Sequence, residues 1–172
     1  NFMKYMMYMD SDDMLTPETI KSVTDFFDAH YDEVDLVTYL DQPYRFGKKM
    51  NVHYRYQYMQ KSGVYDLEKF PYISQTRVNI CVKNMENNHL FDTTPGFRLE
   101  DQEYCSKVLK DKLKIGFCNK GEYCYNRSND GSIVSNYFFA YYIFESSLAY
   151  FERLFAQFEE KVPKYYQAMY MN

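Results

Sequence analysis

Tyr5-Met6-Met7-Tyr8-Met9-Asp10-Ser11-Asp12-Asp13 is an apolar run that stops abruptly in three carboxylates. The uncharged residues Tyr5 to Met9 predict a strand buried on both faces, because a half-buried strand alternates apolar with polar. Thr16-Pro17-Glu18 follows, with a hydroxyl in the N-cap place, Pro at the first helical position and an acid in the first turn. A helix therefore starts just after the acids. Strand, acids and helix in this order predict an α/β fold, and in open α/β sheets the ligand crevice lies beyond the carboxyl ends of the strands. That is where Asp10, Asp12 and Asp13 fall.

Two carboxylates one residue apart can turn toward one hard divalent cation, with the short Ser11 letting the chain bend between them. Mg²⁺ or Mn²⁺ takes few protein oxygens and keeps the rest of its shell for water and phosphate. Asp and Ser are also common turn formers, so a solvated turn that caps the helix is the competing reading of the same residues.

Residues 8–37, YMDSDDMLTPETIKSVTDFFDAHYDEVDLV, resemble the acidic DxD region of the family 2 glycosyltransferases, inverting enzymes of the GT-A fold that use nucleotide-sugar donors. Phe91 to Glu103, FDTTPGFRLEDQE, resembles the second signature of that family, a Phe, a Gly-containing loop and Glu-Asp at a helix start. Leu99 stands where relatives often carry Gly. Tyr123, Tyr125, Arg127, Gly131 and Ser132 match a third segment, Tyr-x-Tyr-x-Arg-x-x-x-Gly-Ser. The three motifs occur in the order of the family and cover most of the chain.

The resemblance implies a mixed-sheet, partial GT-A fold over residues 1–134, with flanking helices and a helical appendix over 135–172. It implies transfer of a sugar from a nucleotide-diphosphate donor, a UDP-sugar foremost, to a hydroxyl of a surface-glycan acceptor, with Mg²⁺ or Mn²⁺ as cofactor. In this scheme Asp12 is the chief metal ligand and Asp10 contacts the metal or the donor ribose. Asp13 belongs to the donor site, and Arg127 meets the diphosphate. Asp101 is the general base that takes the proton of the acceptor hydroxyl as its oxygen attacks the anomeric carbon, and Glu100 orients the loop or the acceptor. Because the acidic motif lies mid-domain in relatives yet begins here at residue 10, the chain reads as part of a longer polypeptide. The relatives it most resembles make capsule, teichoic acid or other cell-surface polysaccharides.

Other features narrow the alternatives. The formal charge of -4 argues against broad nucleic-acid binding. Cys81, Cys105, Cys118 and Cys124 form no C-x-x-C pair and read as reduced thiols of a cytoplasmic protein. A parent at the inner face of the membrane, in peripheral association, is compatible with this, and so is a homo-oligomer. His30, His53 and His89 lack ligand spacing. A non-catalytic carbohydrate-binding or assembly module derived from a transferase is the alternative function. A phosphohydrolase using the same acids lacks an evident nucleophile.

The remaining elements follow from periodicity. Ile20, Val23, Phe27 and Tyr31 mark the apolar face of the first helix. Val34 to Leu40 predicts a strand, Tyr44 to Lys49 a loop with a basic end, and Asn51 to Met59 an alternating strand. Gln75 to Lys83 predicts a further strand, and Lys114 to Asn119 with Glu122 to Arg127 predict two strands around a turn at Lys120-Gly121. From Ser135 to Lys161, Tyr137, Tyr141, Phe144, Leu148, Phe151, Phe155 and Phe158 form one apolar stripe on a long amphipathic helix.

Overall fold

The computed structural model describes residues 4–52, 61–65, 80–83 and 114–128, together with helical positions Glu145, Leu148, Ala149, Glu152 and Ala156. The alternating segment with His53, the Glu100-Asp101 motif, Cys105, residues 129–134 and the C-terminal tail lie outside the described residues. The chain divides into two compact units, Asn1–Asn88 with Leu113–Asn129, and His89–Lys112 with Asp130–Asn172.

In chain order, the first unit contains β1 (Met6–Met7), β2 (Met14–Leu15), α1 (Pro17–Ala29), β3 (Leu36–Arg45), β4 (Lys48–Lys49), β5 (Gly63–Tyr65), β6 (Ile80–Val82) and β7 (Ile115–Asn126). Among the described residues the sheet order is β1-β6-β3-β7-β2, with β4 paired to β3 and β5 to β7. β3 and β7 are parallel, and β6 is antiparallel to both β1 and β3. β1, β3 and β7 therefore run the same way, and the chain leaving β1 emerges at their carboxyl ends. The result is the mixed α/β sheet that the sequence predicts.

Helix α1 starts as its residues dictate: the Thr16 hydroxyl accepts from the backbone N–H of Thr19 at 3.2 Å, and Pro17 occupies the first turn. Its buried face is Thr19, Val23 and Phe27, whereas Ile20 and Tyr31, both expected on that face, are 45% and 36% exposed. The burial of Thr19 has a polar cause. The Thr19 hydroxyl donates to the Glu122 carbonyl at 3.0 Å and accepts from the Glu122 N–H at 3.1 Å, which pins this turn against β7. A count of apolar positions cannot register a buried hydroxyl whose partners lie a hundred residues away.

Beneath α1 the core gathers Val23, Phe27, Val34, Val37, Tyr39, Cys81, Cys118 and Tyr123, with Tyr5 stacked on Phe27 at 4.6 Å between ring centres. Burial pushes the Cys81 thiol up to about 12, so it stays protonated as a small apolar filler. β1 is shorter than expected and only half-buried, because it lies at one end of the described strand order. Hydrogen bonding also fixes the neighbouring Tyr5 phenol: it donates to Asp28 at 2.6 Å, and Lys4 pairs with the same carboxylate.

Two predictions for the β3–β7 region are corrected. The basic loop is a tight hairpin: Tyr44 faces Lys49, Arg45 faces Lys48, and Phe46 and Gly47 form the turn with φ of 49° and 73°. Both turn residues are left-handed, as a two-residue turn between twisted strands requires. The two short strands are instead one, β7, interrupted by a bulge. Tyr39 pairs with Cys118 and Leu40 with Glu122, leaving residues 119–121 as an insertion.

Gly121, read in the sequence as a turn residue, is there for packing. A Cβ at this position would lie 2.5 Å from Val23 Cγ2 and 2.9 Å from Tyr39 Cβ. In the second unit, Leu148 of the expected apolar stripe is 51% exposed, and Glu145 and Glu152 are exposed as expected. Among the described residues no helix is long and apolar enough to cross a membrane.

Candidate functional site

The acids form a tight turn between β1 and β2, closed by the Asp13 N–H donating to the Asp10 carbonyl at 3.2 Å. One side chain organises it. The Tyr123 phenol, buried under α1, donates to Asp13 Oδ2 at 2.6 Å and accepts from the Asp10 N–H at 3.0 Å. The second oxygen of Asp13 accepts the Asn126 N–H at 2.7 Å. Both oxygens of Asp13 thus tie the turn to β7, while Asp10 and Asp12 are exposed.

Burial raises the Asp13 carboxyl above the ordinary range, and the bonds from Tyr123 and Asn126 only partly oppose it. The Tyr123 phenol is held well above its usual value by burial and by its bond to Asp13, so it keeps its proton and remains a donor.

Beside the turn, the carboxylate of Glu122 accepts from the Tyr44 hydroxyl at 2.7 Å and from Lys49 Nζ at 2.8 Å. Burial alone would raise this carboxyl, but the Lys49 and Tyr44 bonds outweigh it, and the group lies below the ordinary glutamate value. A cavity of about 550 Å³ opens here, lined by Asp12, Asp13, Thr16, Tyr44, Glu122 and Asn126 among others. This volume lies within the range of small-molecule sites. Its wall also includes Gly47 of the hairpin and Lys120 of the bulge.

Arg127 follows Asn126 directly and is exposed at the end of β7; its N–H donates to the Tyr44 carbonyl at 2.7 Å. Asp10, Asp12, Asp13 and Arg127 therefore share one edge of the sheet. Asp101 and Glu100 lie outside the described residues, as does His53. His30 caps the end of α1, with Nδ1 3.2 Å from Glu33. Among the described residues, no group of three or more His, Cys, Asp or Glu side chains could hold a metal ion by itself. A hard cation that keeps water and phosphate in its shell needs only one or two carboxylates. Both oxygens of Asp13 are engaged by Tyr123 and Asn126.

Tyr123, Glu122, Tyr44 and Thr19 carry no role in the sequence reading, yet they hold the site together. Tyr123 stood in a recognised motif, but its partners at Asp10 and Asp13 lie more than a hundred residues earlier, and no local pattern announces them.

No family model matches the chain. It is 26% identical over 183 residues to the minor teichoic acid biosynthesis protein GgaB of Bacillus subtilis (strain 168), a match that covers 98% of this chain and 19% of GgaB. The structure of S. aureus TarS 1-349 in complex with UDP-GlcNAc superposes with a TM-score of 0.62 at 17% identity, covering 84% of this chain and 42% of TarS 1-349. A second structure of TarS 1-349 gives a TM-score of 0.56 at 17% identity, over 72% of this chain and 36% of that one. The chain thus spans about a fifth of GgaB and less than half of TarS 1-349. The chain is thus similar in sequence to a part of GgaB and shares a partial GT-A-like fold with TarS.

Proposed function

We propose that this chain carries the acid motif of an inverting glycosyltransferase that moves a sugar from a nucleotide-diphosphate donor, a UDP-sugar foremost, to a hydroxyl of a surface-glycan acceptor. One observation carries the reading. Asp10 and Asp12 stand exposed at the carboxyl edge of parallel strands, in a fold shared with a protein whose structure contains UDP-GlcNAc.

In this reading Asp12 is the chief ligand of a divalent cation and Asp10 contacts that cation or the donor ribose. A bound Mg²⁺ or Mn²⁺ supplies positive charge that offsets the charge gathering on the leaving diphosphate. Asp13, through Tyr123 and Asn126, keeps the turn in shape so that its neighbours stay aimed. Arg127 donates charge-assisted hydrogen bonds to the diphosphate. Asp101 takes the proton from the acceptor hydroxyl as the new bond to the anomeric carbon forms and the bond to the diphosphate breaks, inverting the configuration. Glu100 orients the loop or hydrogen-bonds the acceptor. The enzyme works at the cytoplasmic face.

Calorimetric titration of the protein with Mn²⁺ and a panel of nucleotide sugars tests the donor site. Metal-dependent binding should appear for one nucleotide and weaken at least about tenfold in Asp12→Ala, the loss of a charge-assisted contact. Equal affinity in the variant would overturn the metal-ligand assignment. In an active full-length enzyme, Asp101→Asn should abolish transfer and leave donor affinity intact; near-normal turnover would remove the base from the scheme.

A further inference from the structure

We propose that the β3–β4 hairpin is an anchor for an anionic membrane surface, with Phe46 entering the boundary between headgroups and acyl chains. This inference does not depend on the transfer reaction. Phe46 is 71% exposed at the tip of the hairpin and holds a φ of 49°. A lone exposed apolar residue means little. Here, however, the same residue also adopts a left-handed backbone, which any side chain with a Cβ disfavours and which Asn or Gly would occupy with less strain. Folding alone would select neither the ring nor its exposure at this position.

The surroundings indicate the partner. Arg45, Lys48 and Lys49 flank the tip, all exposed, with the Arg45 guanidinium 5.5 Å from the centre of the Phe46 ring. Lys49 turns back to pair with Glu122 at 2.8 Å. The Phe46 N–H donates to Ser128 Oγ at 2.7 Å and the Arg127 N–H donates to the Tyr44 carbonyl. The tip is therefore braced against the end of β7. This basic cluster stands on a chain whose formal charge is -4. An aromatic ring set among Arg and Lys suits the interfacial zone of a bilayer, where the ring sits at headgroup level and the cations meet lipid phosphates.

The chain contains no Trp, so Phe46→Trp introduces a single indole at the tip. With vesicles of phosphatidylcholine and phosphatidylglycerol, its emission should shift to the blue and be quenched by brominated acyl chains, with no change on phosphatidylcholine alone. In vesicle sedimentation of the otherwise unaltered chain, Arg45→Gln with Lys48→Gln should lower partitioning roughly 25-fold, about fivefold for each basic residue near an anionic surface. Phe46→Asn should weaken binding roughly tenfold through loss of the ring, yet raise the unfolding midpoint because Asn tolerates the turn. A merely structural role for Phe46 would move stability the other way. The proposal is overturned by an unshifted indole on anionic vesicles, or by unchanged binding of Phe46→Asn. A blue shift produced equally by soluble polyphosphate would also overturn it, since the tip would then recognise polyanions rather than a bilayer.

Discussion

The two halves of β7 do different jobs within one strand. Ile115 to Cys118 pairs with Leu36 to Tyr39, and every residue in it is buried; Glu122 to Asn126 pairs with Leu40 to Tyr44 and carries the groups that shape the acid turn and its cavity. Between them the insertion of residues 119–121 is odd in number, so it reverses which side chains face α1. Without it, Glu122, Cys124 and Asn126 would share the α1 face with Cys118. With it, Tyr123 joins Tyr39 and Cys118 in the core beneath α1, where its hydroxyl reaches Asp10 and Asp13. A bulge thus lets one strand serve first as core and then as the support of a site.

That division predicts graded effects. Phe117, fully buried in the first half, should cost about 3–5 kcal/mol when truncated to Ala, read as a lower midpoint in denaturant unfolding. Molecules that remain folded should bind donor as the unaltered chain does; a specific loss of binding would show that the first half also shapes the site. Tyr123→Phe should cost about 1–3 kcal/mol, because Asp13 and the Asp10 N–H lose a buried partner. In this variant donor affinity should fall as well, since the turn is freed. Retained affinity would mean that Asn126 alone suffices to hold Asp13.

The smallest effect belongs to Glu122→Gln, at most about 1 kcal/mol for a pair with Lys49 that is partly open to water. Its sign follows from the lowered carboxyl. The folded value lies below the unfolded one, so the stabilisation is complete above the unfolded glutamate value of about 4.3 and is lost as the pH falls through the folded value. The gap between the variant and the original chain should therefore close on acidification. A gap that persists at low pH would assign the stabilisation to the Tyr44 bond rather than to charge.

Much of this molecule is legible locally. The start of α1 was readable from Thr16, Pro17 and Glu18 because capping is a contest settled within one turn of chain. The first half of β3 was readable because an apolar run needs no partner to be recognised, whereas its polar continuation from Asp41 to Arg45 was not. Val23 and Phe27 were read correctly on the buried face of α1, but Ile20 was named in place of Thr19, which is satisfied by Glu122, a residue distant in sequence. The bulge was mistaken for a turn because Lys120-Gly121 fits both descriptions locally, and only the packing of Val23 and Tyr39 on Gly121 separates them.

By itself, then, the sequence determined the α/β class and the entry of the first helix, and the helix entry depends on contacts within a few residues. The tertiary structure alone decided that Asp13 is an anchor, that Tyr123 is its partner and that the basic loop is a strained hairpin beside the site. The first two depend on hydrogen bonds across more than a hundred residues, and a shift of a single residue in β7 would have assigned them to different side chains; the hairpin rests on the pairing of Tyr44 with Lys49 and Arg45 with Lys48.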